Sequence, residues 1–407
     1  MTLSAVLGIV AAVAAAAFVI MVVTAGGWRA EPRPDPDTAP APGPMTPQQQ
    51  AFALRWRAVW VTEVIRISLL VLVGLTPAGA HFVHALAPSG NWLLEALAWG
   101  ILVAVFGAAS LVGRGWRRRA KALIPGLYPP RIATARNWRR EIAARAQNVL
   151  ALVLIAYSLR AGRGDFAIGL TLAIPVGALA TMRQRRLRRL PPSPHLTAVL
   201  AALKSPPRRR APVAVVGWRG RNFLANALAV DGLMPHPLIL VAPPLVTRLE
   251  ARQLRAVLAH ELAHVLHRDS WRRLVRVILM SEAALATAIA LTGLDPAQDM
   301  AGLPARLDGR AVPFLVAIWY LMLRLLAVAN LRATRAEEQA ADARAVSLTD
   351  DPAGCAEGLN ELGAILGSPE RWTFGQRLLV ATHPARAVRS QWFAQLPLAS
   401  LPGAHSG

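Results

Sequence analysis

Seven apolar runs, at residues 3–25, 58–77, 92–113, 149–159, 166–182, 277–294 and 312–331, constrain this chain more than any other feature. An apolar stretch of about 20 residues matches the hydrocarbon core of a bilayer, and a soluble core has little room for so many of them. The run at 149–159 falls short of that length. The apolar fraction of 54% and the mean hydropathy of +0.38 agree with a chain whose apolar mass faces lipid. Run 3–25 reads as a spanning anchor and not as a cleaved signal, because no Lys or Arg precedes it and it outruns the usual h-region of ~7 to 15 residues.

A formal charge of +22 would point to nucleic acid in a soluble protein, but here the arginines sit beside apolar runs. Arg117, Arg118, Arg119 and Lys121 follow one run, and Arg183, Arg185, Arg186, Arg188 and Arg189 follow another. That is the pattern of cytoplasmic flanks facing anionic lipid, so the expected partner is membrane lipid and not nucleic acid. The 78–91 loop has no Lys or Arg whereas 114–145 is dense with them, which gives a seven-span, multi-pass cell-membrane topology with the N-terminus outside. The segments before the sixth run and after the seventh then share the cytoplasm. Glu63 and Arg66, three apart in the second run, are expected to pair on one helix face.

The expected organisation is an anchor at 1–25, a Pro-rich linker at 26–54, a helical membrane region with basic loops at 55–190, a further unit at 191–389 and a tail at 390–407. The unit at 191–389 is interrupted by the apolar helices near 277–294 and 312–331. Hydropathy falls across 191–268, where β-rich pieces at 212–218, 225–230 and 237–241 precede an amphipathic helix. Thr247 followed three residues later by Glu250 predicts that this helix starts near Thr247 and runs through His264. The fold class is therefore mainly α: multi-pass transmembrane helices with a small cytosolic α+β unit.

Cys355 is the single cysteine, which excludes an internal disulfide and a Cys-rich zinc module, so any metal must be held by His and carboxylates. His260-Glu261-Leu262-Ala263-His264 is a His-Glu-x-x-His pattern. On a helix its two imidazoles fall at i and i+4, aimed at one point, and Glu261 lies one residue off, placed to take a proton from a water at the metal. Catalytic zinc needs a third protein ligand. The helix expected after the last apolar run offers Glu338 as ligand, with Asp342 one turn on to hold an imidazole, and Glu337 as the competing ligand.

These motifs resemble those of the HtpX and CAAX-prenyl-endopeptidase family of membrane zinc metalloproteases. His260 to His264 followed by Asp269 is similar to the family's His-Glu-Leu-Gly-His with an Asp five residues on, and Ala263 replaces the usual Gly. Arg335 to Asp342 resembles its Arg-x-x-Glu-x-x-Ala-Asp, which aligns the third ligand with Glu338 rather than Glu337. Asn226-Ala227 resembles the segment ahead of an edge strand that binds peptide by strand addition, so Ile239, Leu240 and Val241 are expected to line the substrate. Thr382-His383-Pro384 with Arg389 resembles the C-terminal motif whose His or Arg stabilises the oxyanion.

The resemblance covers about 212–389 and implies a zincin-like metalloprotease domain. It also implies one Zn2+ per chain held by His260, His264 and Glu338, with Asp342 and Asp269 behind the imidazoles and Glu261 and His383 catalytic. The expected activity is hydrolysis of peptide bonds in membrane or misfolded proteins at the cytoplasmic face. The rival expectation is a membrane signal transducer of the β-lactam-sensor type with a metalloprotease-like domain; it needs an extracellular ligand domain, and the expected outside loops are short.

Overall fold

The computed structural model describes residues 45–74, 85, 101, 108–109, 111–124, 187–189, 194–204, 213–218, 226–230, 238–291, 311–373, 376–377 and 382–395. They form α1 (Pro47–Gly74), α2 (Arg114–Leu123), β1 (Leu187–Arg189), α3 (Pro194–Ala201), β2 (Val213–Trp218), β3 (Ala227–Val230), β4 (Leu238–Val241), α4 (Pro243–Arg248), α5 (Ala251–His267), α6 (Asp269–Leu291), α7 (Ala311–Thr349), α8 (Pro352–Leu366) and α9 (Arg386–Gln395). Most of these residues are helical, as expected.

At the centre stands α5, which packs on α7, α8 and β3. Leu254, Val257, Leu258, Leu262 and Val265 bury its apolar side, and Ala256, Ala259 and Ala263 are buried as well, letting neighbours approach from several directions. The closest approach is at Gly358 of α8, where a Cβ would meet the Gln253 carbonyl at 2.6 Å and the Ala256 Cβ at 3.0 Å. The start of α5 is not at Thr247, which lies in α4. Glu250 is the N-cap, and its backbone N–H donates to Oε1 of Gln253 at 3.2 Å, so the cap sits one turn later than expected because the Pro243–Arg248 turn intervenes. Arg268 ends α5 in the left-handed region at φ 56, and α6 begins at the next residue.

Strand order is β1-β2-β4-β3, with β2 and β4 parallel and the other two pairs antiparallel. The expected strands all form, within two residues of their expected starts. Strand β1 was unforeseen: Leu187–Arg189 lies in a basic run and pairs with 216–218 of β2. A further correction concerns β4. Ile239, Leu240 and Val241 pair with Val213, Ala214 and Val215 on one side and with Ala229, Leu228 and Ala227 on the other, so β4 is central and has no free edge for a peptide. The edge is β3.

Helix α1 begins at Pro47, inside the segment expected as linker, and α9 carries the chain past 389 through 395. Glu63 and Arg66 pair at 3.1 Å as expected, and Glu63 also accepts from the Tyr320 hydroxyl at 2.7 Å and pairs with Arg324, tying α1 to α7. Among the described residues no helix is long and apolar enough to cross a membrane. The apolar runs at 3–25, 149–159 and 166–182 lie outside the described residues, as does most of 92–113.

Candidate active site

On α5, His260 and His264 face the same side with ring centroids 4.6 Å apart and planes at 86°. Their Nε2 atoms stand 3.1 Å from each other. Opposite them, α7 presents Glu338, with Oε2 at 3.3 Å from Nε2 of His260 and Oε1 at 3.5 Å from Nε2 of His264. All three side chains are buried, and one ligand atom from each lies within 4.8 Å of the others. Ligand atoms bound tetrahedrally at ~2.0–2.1 Å must be ~3.3 Å apart, so the spacing seen fits zinc. Residues expected some seventy positions apart in sequence thus meet at one point.

The outer nitrogens are held by the two carboxylates the motifs named. Nδ1 of His264 donates to Oδ2 of Asp269 at 2.7 Å, and Nδ1 of His260 is 2.8 Å from Oδ1 of Asp342. Each partner fixes the ring so that Nε2 points inward. Burial disfavours a charged imidazole, yet the bond to Asp269 followed by that to Glu338 outweighs it and pushes His264 up to about 10. His260 is raised too: burial again opposes, and Asp342 and Glu338 prevail. For Glu338 burial pushes up, and the charge of His383, then the bonds from His260 and His264, carry it well below the usual carboxylate range.

Glu261 is buried beside the pair, and its Oε2 accepts the Ala229 backbone N–H at 2.6 Å. Edge strand β3 therefore touches the expected base directly. His383 donates from Nδ1 to Oε2 of Glu338 at 2.6 Å while its side chain stays 48% exposed, which sets it on the open side of the cluster.

Arg389 is elsewhere. Its Nε donates to Oδ2 of Asp342 at 2.6 Å and its Nη2 to Oδ1, and the side chain is buried, so it braces Asp342 behind His260 and does not face the open side as an oxyanion donor would. Asp342 lies below its ordinary range: burial raises it, and the Arg389 charge heads the groups that lower it.

Glu337, the competing ligand, points back to α6. It accepts from Nε of Arg273 at 3.0 Å and pairs with Arg276. Arg273 also donates from Nη2 to Oε1 of Glu338 at 2.8 Å. The sequence reading missed Arg273, Arg276 and Ala229. The arginines sit four and seven residues beyond Asp269, about one and two turns on, a spacing that could have flagged the first two; nothing marks a backbone N–H.

A model of peptidase family M48 matches residues 198–394, which include the whole cluster. Over these residues the chain is similar to peptidase family M48. The enzyme class expected from the motifs, a metallopeptidase, is the class of that M48 family. The "Protease HtpX homolog" of Acaryochloris marina is 29% identical over 262 residues, covering 60% of this chain and 84% of the relative. That of Acidiphilium cryptum is 34% identical over 145 residues, and there the chain spans only 46% of the relative's length. The crystal structure of S. mikatae Ste24p shares the fold, with TM-score 0.58 at 13% identity over 95% of this chain and 98% of that one.

Proposed function

We propose that this chain is a membrane-embedded zinc endopeptidase, anchored by its apolar runs, with its active site on the cytoplasmic side and peptide or protein segments as substrate. One observation carries the reading: Nε2 of His260, Nε2 of His264 and the Glu338 carboxylate converge with zinc-ligand spacing while Glu261 stands alongside, held by a strand edge. The relatives' name as proteases and the family match support hydrolysis.

His260, His264 and Glu338 would hold the ion, which when bound supplies the Lewis acidity that polarises a carbonyl and makes water nucleophilic near neutral pH. The chain's own residues do the rest. Glu261 takes a proton from the attacking water, whose oxygen bonds to the scissile carbon. As the C–N bond breaks, Glu261 returns that proton to the leaving amine. Asp342 and Asp269 keep the imidazoles in the tautomer that presents Nε2 inward, and Arg389 keeps Asp342 ionised. His383, on the open side, donates toward the oxyanion. An extended substrate lies beside β3, the edge strand that touches Glu261, rather than β4.

Replacing Glu261→Gln is expected to leave bound zinc at the wild-type level and to cut peptide hydrolysis by about 10²–10⁴-fold. Glu338→Ala should lower bound zinc. Zinc content measured beside casein cleavage checks both; an active Glu261→Gln protein, or full zinc occupancy in Glu338→Ala, overturns the assignment.

A further inference from the structure

Behind Glu338 runs a ladder of alternating charge that the peptidase chemistry does not itself require. Asn330 Oδ1 accepts from Nε of Arg276 at 2.9 Å, Arg276 pairs with Glu337, Glu337 accepts from Arg273 at 3.0 Å, and Arg273 donates to Glu338 at 2.8 Å. Arg273 and Arg276 are three apart on one face of α6. Glu337 and Glu338 are adjacent on α7, so their side chains diverge, one toward the arginines and the other toward the imidazoles. The Arg276, Glu337 and Glu338 side chains are 1%, 5% and 2% exposed, whereas Arg273 is 36% exposed.

We propose that Arg273 is a positioning residue for the metal-binding carboxylate: it holds Oε1 of Glu338 so that the carboxylate is aimed at the ion, and Glu337 neutralises it there. The inference rests on the zinc-peptidase reading above. The physical need is specific. Asp269 and Asp342 brace the two imidazoles, whereas Glu338, on a different helix, would be free to rotate about its side-chain torsions without a donor of its own. An arginine fork supplies that donor but brings a positive charge next to a cation site. Glu337 offsets the charge, and Arg276 with Asn330 holds Glu337 in turn. His383 contacts the other oxygen from the open side, where a substrate would displace it, so Arg273 is the contact that persists through turnover.

The test uses the full chain in detergent, with zinc affinity measured by competition against a chromogenic chelator and metal-free melting followed in parallel. Arg273→Met should weaken zinc binding by about 10–100-fold, the usual cost of losing a partner behind a metal ligand, while the metal-free protein still melts cooperatively. Arg273→Lys, which restores the charge and one donor, should recover part of that loss. Glu337→Gln should fall between wild type and Arg273→Met, because the guanidinium stays but its charge is no longer offset.

A folded Arg273→Met protein that binds zinc within about twofold of wild type overturns the proposal, since a group that merely staples α6 to α7 would move melting and not affinity. If Arg273→Met does not fold, wild-type affinity in both Arg273→Lys and Glu337→Gln overturns it equally. A wild-type chain that holds no zinc fails the peptidase reading itself; tight zinc in wild type and Arg273→Met alike fails only this inference.

Discussion

At the scale of single residues, the site consists of groups whose charge is set by their partners. His264, at about 10 in the metal-free chain against an ordinary 6.5, carries a proton at neutral pH, and the bonds to Asp342 and Glu338 raise His260 as well. Zinc binds neutral imidazole, so its uptake near pH 7 must expel the His264 proton, and affinity should rise about tenfold per pH unit for each proton expelled. The metal-free chain has the opposite sign. A pKa raised above its unfolded value stabilises the fold fully below pH 6.5, and that contribution is lost as pH climbs toward about 10. Melting in chelator is therefore expected to fall between pH 6.5 and 10 while zinc-loaded protein gains on it. Parallel curves with and without zinc would show that these imidazoles are not the ligands.

At the scale of elements, the decisive pieces are α5, α7 and β3. The helical pair was legible: the i, i+4 imidazoles and the Glu338–Asp342 turn are local patterns, and a helix fixes where such side chains point. The strands were legible too, but not which of them is the edge. Sheet order is set by pairings across the chain, as in β2 with β4, and the run Leu238–Val241 reads the same whether central or at an edge. Arg389 shows the same limit: its motif placed it near the site, while its bidentate contact to Asp342 comes from how α9 docks.

The edge strand gives a sharp prediction. Ala229→Pro removes the N–H that holds Glu261, at an edge position where no ladder bond to β4 depends on it. The variant should keep its zinc and lose about tenfold or more in kcat/KM, read by peptide hydrolysis beside metal content. Unchanged kcat/KM would mean that β3 neither holds the base nor flanks the substrate.

At the scale of the whole molecule, the site depends on helices held together far from it. Helix α1 starts against the end of α8, where Gly367 adopts φ 71 and a Cβ would run into the Gln48 backbone. Farther along, Glu63 of α1 gathers Arg66, Tyr320 and Arg324, so one carboxylate offsets two guanidiniums. Tyr320 is 18 residues before Glu338 on the same helix, about 27 Å away along its axis. The tie therefore serves the scaffold and not the chemistry. Glu63→Gln removes the carboxylate that Arg66 and Arg324 share, so their mutual repulsion is less offset. Since both arginines are partly exposed, water screens part of that repulsion, and the expected loss is about 1–3 kcal/mol rather than the larger cost of a fully buried pair. Thermal unfolding of the detergent-solubilised protein should show a lowered midpoint with zinc affinity unchanged. A fall in zinc affinity of the size expected for the Glu338 contacts would instead mean that α1 and the metal centre are coupled along α7.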